Sequence, residues 1–219
     1  MSDSLTEPRQ RIRQQFLDHY LTTGQYPVSI YAFAKQLGIT EADFYKYYAS
    51  FASIESEVWT EMIESSIATL LGDPAFAGYS FNEKLLSFYF TFFEQAKGFR
   101  SFIMLSSKPV GASRLMPGIP TGMRPFKKRF ESFIDGILNE GFDKGEVVAR
   151  SFISDRYTGG LWMQFSSLIR FWANDASPAF EDTDAAIEKS VRLSAQLMGD
   201  NVFDAAADLV KFFVQRRFA

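Results

Sequence analysis

Residues 29–50, SIYAFAKQLGITEADFYKYYAS, constrain the fold more than any other part of the chain. They read as two short helices joined by a glycine turn. Ser29 stands where an N-cap is needed, since its hydroxyl can accept one of the orphan N–H groups of a starting helix. Ile30, Phe33, Ala34 and Leu37 follow at i, i+3, i+4 and i+7, one buried face of a two-turn helix that Gly38 stops. Ile39 can plug the turn, and Thr40 with Asp43 three residues on has the form of a capping box. In the second helix, which the spacing predicts over residues 40–48, Phe44 and Tyr48 share the inner face. Glu41, Ala42, Tyr45, Lys46 and Tyr47 are left on the outer sides. This is the layout of a helix-turn-helix, and equally of a helical hairpin in any bundle.

Gly38-Ile39-Thr40, Ala42, Phe44-Tyr45, Tyr47-Tyr48 and Ser50 carry more than spacing, together with Ile54 beyond and Gly24, Ser29 and Phe33-Ala34 before. They resemble the signature of tetracycline-repressor (TetR) family regulators over about the first quarter of the chain. Residues 137–146, ILNEGFDKGE, are similar to a phrase found late in the ligand domain of that family. The resemblance implies an all-α protein with a three-helix helix-turn-helix domain at 1–52 and a larger helical ligand-binding and dimerisation domain at 53–219. It implies a DNA surface made by Ser29, Lys35, Thr40, Ala42, Tyr45, Lys46 and Tyr47, facing a palindromic operator in double-stranded DNA. Thr40, Tyr45 and Tyr47 would meet phosphates, with Ala42 and Lys46 near base edges. At one point the chain departs from the family. Phe51 and Ala52 stand where a lysine and a glutamate usually follow the serine, which removes one expected phosphate contact.

Charge argues in the same cautious direction. The net charge is −3 and the isoelectric point about 5.3, so no global basic field draws the chain to nucleic acid. Residues 1–50 hold five basic groups (Arg9, Arg11, Arg13, Lys35, Lys46) and five acidic ones (Asp3, Glu7, Asp18, Glu41, Asp43). Phosphate neutralisation supplies most non-specific affinity, so a neutral head predicts weak binding unless two heads act together. Residues 1–7 read as a tail and Pro8 as the opening of the first helix. Three arginines then crowd a helix start, against the dipole, which a nearby phosphate or an ordinary solvated face would explain.

Much chemistry is excluded. The chain has no cysteine and a single histidine, His19, so thiol catalysis, thiolate metal sites and histidine-based triads are ruled out. Glu55, Glu57, Glu61 and Glu64 fall on one stripe of a fourth helix, which reads as a solvated acidic face. No nucleotide-binding or hydrolase motif appears, so neither an enzyme nor a cofactor or metal is expected. The polar N-terminus and the lack of a run of ~18 apolar residues predict a cytoplasmic protein that does not span a membrane.

The remaining chain reads as helices throughout, nine or ten in all: 81–97 and 99–107, then 126–139, 150–174 and 184–217. Its 24 Phe, 9 Tyr and 3 Trp exceed what a small core requires. Phe88, Phe92, Phe102, Phe130, Phe133, Tyr157, Trp162 and Phe165 are the candidates to line a pocket for an apolar or aromatic small molecule. In that picture residues 108–125 form its lid and Arg114 or Tyr157 its polar anchor; a closed core of phenylalanine is the other reading. By resemblance, the last two long helices would pair with a twofold mate through Trp162, Phe165, Ile169, Leu193, Leu197 and Val202, giving a homodimer. The alternative function is a small-molecule or lipid carrier of the same fold whose DNA-reading head is degenerate.

Overall fold

The computed structural model describes residues 3–107, 121–150 and 154–199. Among them are nine α-helices and no strand: α1 (Asp3–Thr23), α2 (Ile30–Gln36), α3 (Glu41–Tyr45), α4 (Phe51–Leu71), α5 (Phe81–Ala96), α6 (Arg100–Ser106), α7 (Arg124–Asp143), α8 (Tyr157–Asn174) and α9 (Glu181–Met198). The described residues form two compact units, drawn from 1–64 with 96–128 and from 65–95 with 129–219.

In the first unit α1 begins at Asp3, ahead of Pro8. The proline falls in the second turn and forfeits one backbone hydrogen bond, which leaves the helix intact. Arg9, Arg11 and Arg13 therefore sit past the first turn, where the helix dipole has faded, and each has a protein partner. Arg9 donates to the Glu57 carboxylate and to the Tyr48 hydroxyl, with its guanidinium 5.2 Å from the centre of the Tyr48 ring. Arg11 donates to the Leu37 carbonyl at the end of α2, 2.9 Å away. Arg13 pairs with Glu61. Neither a phosphate nor a solvated face is needed to account for them. Two of the supposed solvated carboxylates, Glu57 and Glu61, instead tie α4 to α1.

Glu55 departs further from the sequence reading, being only 5 % exposed. Its carboxyl accepts the hydroxyl proton of Tyr26 and lies against Gly122, where an added Cβ would sit 3.5 Å from the carboxyl carbon. Burial pushes the Glu55 carboxyl up from the ordinary carboxylate range, and the Tyr26 hydrogen bond opposes this only in part. Above it on α4, the buried Trp59 donates its indole N–H to Ser106 of α6 at 3.0 Å and packs on Phe102 and Phe126.

The second unit is built on aromatic rings from α5, α7 and α8. Phe165 lies at their centre. It stacks on Tyr89 and Phe130 with ring centroids 5.3 and 4.8 Å away and meets Phe92 edge-on at 4.8 Å. A polar tie joins the same helices to α9, since the Tyr89 and Ser194 hydroxyls both donate to the Gln164 side-chain carbonyl.

The helix ends in this unit differ from the sequence prediction for local reasons. Helix α7 runs through Gly141 because Val147 folds back onto it; a Cβ at Gly141 would lie 2.8 Å from the Val147 methyl. The chain turns at Gly145 with φ +70°. Glu146 then accepts the Phe81 backbone N–H at the start of α5, which gives the 137–146 phrase a structural purpose. Helix α8 begins at Tyr157 rather than at Arg150. Arg150 is buried and donates to the Tyr157 hydroxyl and to the carbonyls of Leu197 and Gly199 at the end of α9. Helix α9 begins at Glu181, three residues early, because Asp175 accepts from Ser177 with one oxygen and from Thr183 with the other. Those bonds hold the Asp175 carboxyl down at about 2. The predicted extension of the last helix to residue 217 lies outside the described residues.

Two outcomes follow from these cores. Phe165→Ala should cost about 3–5 kcal/mol in a denaturant titration, and Phe165→Leu distinctly less, because the cavity left among the rings is smaller. Glu55 should make stability fall with rising pH. A carboxyl whose folded pKa exceeds its unfolded value contributes fully below the unfolded value and loses that contribution as pH rises through the folded one. Melting temperatures of wild type and Glu55→Gln should therefore coincide near pH 4 and diverge at neutral pH, with the glutamine variant higher.

Candidate nucleic-acid interface

The geometry of the head follows from its caps. Ser29 accepts the Ala32 N–H at 3.1 Å and starts α2. The turn after it passes through Gly38 at φ +70°, a left-handed conformation that glycine takes without strain. Thr40 and Asp43 then form the reciprocal capping box, each side chain accepting from the other's backbone N–H. Helix α3 is shorter than the spacing predicts, Glu41–Tyr45, with residues 46–48 continuing as a tighter turn.

Phe44 and Tyr48 are buried, and Ala42, Tyr45 and Lys46 are exposed; Tyr47 is half-buried. Ser29, Lys35 and Thr40 are also exposed, so the seven predicted contact residues are grouped on the two short helices and their turn. Several have competing partners. The Thr40 hydroxyl is engaged by Asp43 at 2.6 Å. Lys46 pairs with the other Asp43 oxygen, also at 2.6 Å, and this holds the Asp43 carboxyl down at about 2. The Tyr45 hydroxyl leans on Glu41 at 3.4 Å. Lys35 has neither an ion pair nor a side-chain hydrogen bond among the described residues.

Phe51, which occupies the place of the family's lysine, turns inward. Its ring lies 5.4 Å from Phe16 of α1, 5.3 Å from Phe33 of α2 and 5.7 Å from Phe44 of α3. It holds together all three helices of the head. The sequence shows the missing charge at this position, and the aromatic at the start of α4, with Phe16, Phe33 and Phe44 also apolar, is the signal for the packing gained.

The predicted ligand residues are divided between the units. Phe102 belongs to the first, against Tyr20 and Trp59. Phe88, Phe92, Phe130, Trp162 and Phe165 are buried ring on ring in the second. Phe133 is half-buried beside Phe88 at 5.2 Å. Tyr157 is buried, and its hydroxyl accepts from Arg150 and donates to the Val148 carbonyl, so it serves the Arg150 clamp. Arg114 and residues 108–120 of the predicted lid lie outside the described residues.

The predicted dimer seam needs correction. Trp162, Phe165 and Ile169 are buried within the chain itself, on the stripe of α8 that packs against Phe92 of α5 and Phe130 of α7, so they are not left for a mate. The exposed apolar side chains of α8 and α9 are Met163 (62 %), Phe171 (47 %), Leu193 (55 %) and Leu197 (37 %). Val202 lies outside the described residues.

Comparisons with known proteins bear on this arrangement. Residues 84–213 match the family model described as tetracyclin repressor-like, C-terminal domain. Among solved structures, the chain is similar to a TetR-family protein from Syntrophomonas wolfei, at 16 % identity and a TM-score of 0.68 over 87 % of this chain and 95 % of that one. It is similar to the TetR transcriptional regulator from Nitrosomonas europaea, at 13 % identity and a TM-score of 0.57 over 86 % of this chain and 98 % of that one. It is also similar to the fatty acid degradation regulator FadR from Bacillus halodurans, at 13 % identity and a TM-score of 0.56 over 88 % and 98 % of the two chains. At these identities the structures speak to the fold. A search of curated proteins by sequence returned no match.

Proposed function

The chain belongs to the tetracycline-repressor family of transcriptional regulators, and on that premise we propose that it binds a palindromic operator as a homodimer and responds to a small-molecule effector as a repressor. The observation that carries the proposal is the edge of α3. Its inner residues are fully packed, while Ala42, Tyr45 and Lys46 face outward on a helix fixed at its start by a complete capping box. Ala42 and Lys46 approach base edges in the major groove. Ser29, Lys35, Thr40, Tyr45 and Tyr47 line the flanking phosphates.

Two heads act together. With three arginines committed inside the head, each copy has little charge to offer, and pairing supplies the missing affinity through effective concentration. The exposed Met163, Phe171, Leu193 and Leu197 supply the apolar seam between copies. The effector binds in the second unit, at or beside the aromatic cluster, and shifts the population between dimer geometries that fit the operator differently.

The same internal use of Arg9, Arg11 and Arg13, with Phe51 in place of a lysine, favours one other reading, a carrier whose head no longer grips DNA. Gel shift against the DNA upstream of the chain's own coding sequence separates the two. A regulator gives a specific, salt-sensitive complex and a carrier gives none.

Lys35→Ala should lower the slope of log affinity against log salt by about one unit for every phosphate contact removed per complex, while Lys46→Ala, at a base edge, should relax discrimination among operator sequences. A wild-type slope in Lys35→Ala would remove Lys35 from the phosphate contacts, and unchanged sequence discrimination in Lys46→Ala would remove Lys46 from the base edges. Met163→Glu combined with Leu193→Glu should convert a dimer to a monomer in sedimentation equilibrium while leaving helical content unchanged.

A further inference from the structure

A cavity of about 510 Å³ opens in the second unit, within the size range of small-molecule sites. Ile67, Phe133 and Ile137 line it together with Asp73, Arg129 and Glu140, and one charged side chain of the lining is buried. Lys84 is 4 % exposed, an unusual place for an ammonium group. Its Nζ donates to Glu140 on α7 and lies 5.4 Å from the centre of the Phe76 ring. A lysine has three N–H donors, and these two contacts do not use them all.

We propose that this cavity is an effector site for a carboxylate bearing an apolar tail, with Lys84 as the headgroup's partner. Lys84 and Lys144 share the single Glu140 carboxylate, so an incoming carboxylate gives each ammonium its own partner. Glu140 already holds a second partner, Lys144 at 2.8 Å, and keeps it when the incoming carboxylate takes over Lys84. That exchange leaves neither the ammonium nor the glutamate unpaired, which is the condition for moving charge into a half-buried site without a large penalty. The tail lies along Ile67, Phe133 and Ile137. Gly136 on α7 also faces the cavity, and a Cβ built there meets nothing within 4 Å, so a larger side chain projects into open space.

The site deepens the effector part of the proposed function. Its test uses the free full-length chain, so absence of ligand binding and absence of an operator complex remain separate results. Decanoate, decan-1-ol and decylammonium are titrated by calorimetry below their micelle concentrations. Decanoate should bind one per chain and at least tenfold more tightly than the alcohol, with decylammonium weaker still. Lys84→Met should remove at least a factor of ten from decanoate affinity and leave the alcohol unchanged. Gly136→Leu, which retains every charge, should abolish binding of both while keeping wild-type circular dichroism. Equal affinity for acid and alcohol, tighter binding of the ammonium, wild-type decanoate binding in Gly136→Leu, or no decanoate binding at all would each overturn the proposal.

Discussion

One ring organises the head of this protein. Phe51 stands at the first residue of α4 and touches one aromatic from each of α1, α2 and α3, so those three helices and the start of α4 share a single core. A helix as short as α3 cannot persist in water on its own propensity. It exists because Phe44 beneath it is fully buried against that core and because Thr40 and Asp43 close its first turn. Everything asked of the outer edge of α3 depends on this inner support.

The same packing decides where the positive charge goes. Arg9 and Arg13 bind Glu57 and Glu61 across the α1–α4 contact, and Arg11 satisfies the open carbonyl at the end of α2. These exposed or half-exposed pairs contribute modest stability individually, and together they hold the first turns of α4 against α1. The price is an exposed α2–α3 surface with few uncommitted cations. Specific recognition must then rest on fit and on twofold pairing more than on charge, which makes dimerisation a condition of the proposed function.

What could be read from the sequence was local. Ser29, Gly38 and the Thr40/Asp43 box act within three or four residues, and the structure has each of them in its predicted part. The partners of Arg9 and Arg13 lie 48 residues away, and no periodicity reports such a distance. Glu55 shared a helical stripe with Glu57 and Glu61, but only the fold places Tyr26 and Gly122 over it. Lys84 is illegible for a related reason, since a lysine near a helix start looks like a surface residue until Glu140 and Phe76 arrive from elsewhere in the chain. Spacing puts Trp162, Phe165 and Ile169 on one stripe of α8, but only the packing shows that α5 and α7 of the same chain, and not a mate, cover it.

The most direct test of the account is hydroxyl-radical footprinting of the full-length chain on the DNA upstream of its own coding sequence. The account predicts two protected tracts related by a dyad, with centres about 34 Å apart along the duplex. A single isolated tract at saturating protein, or no protection at all, would contradict it.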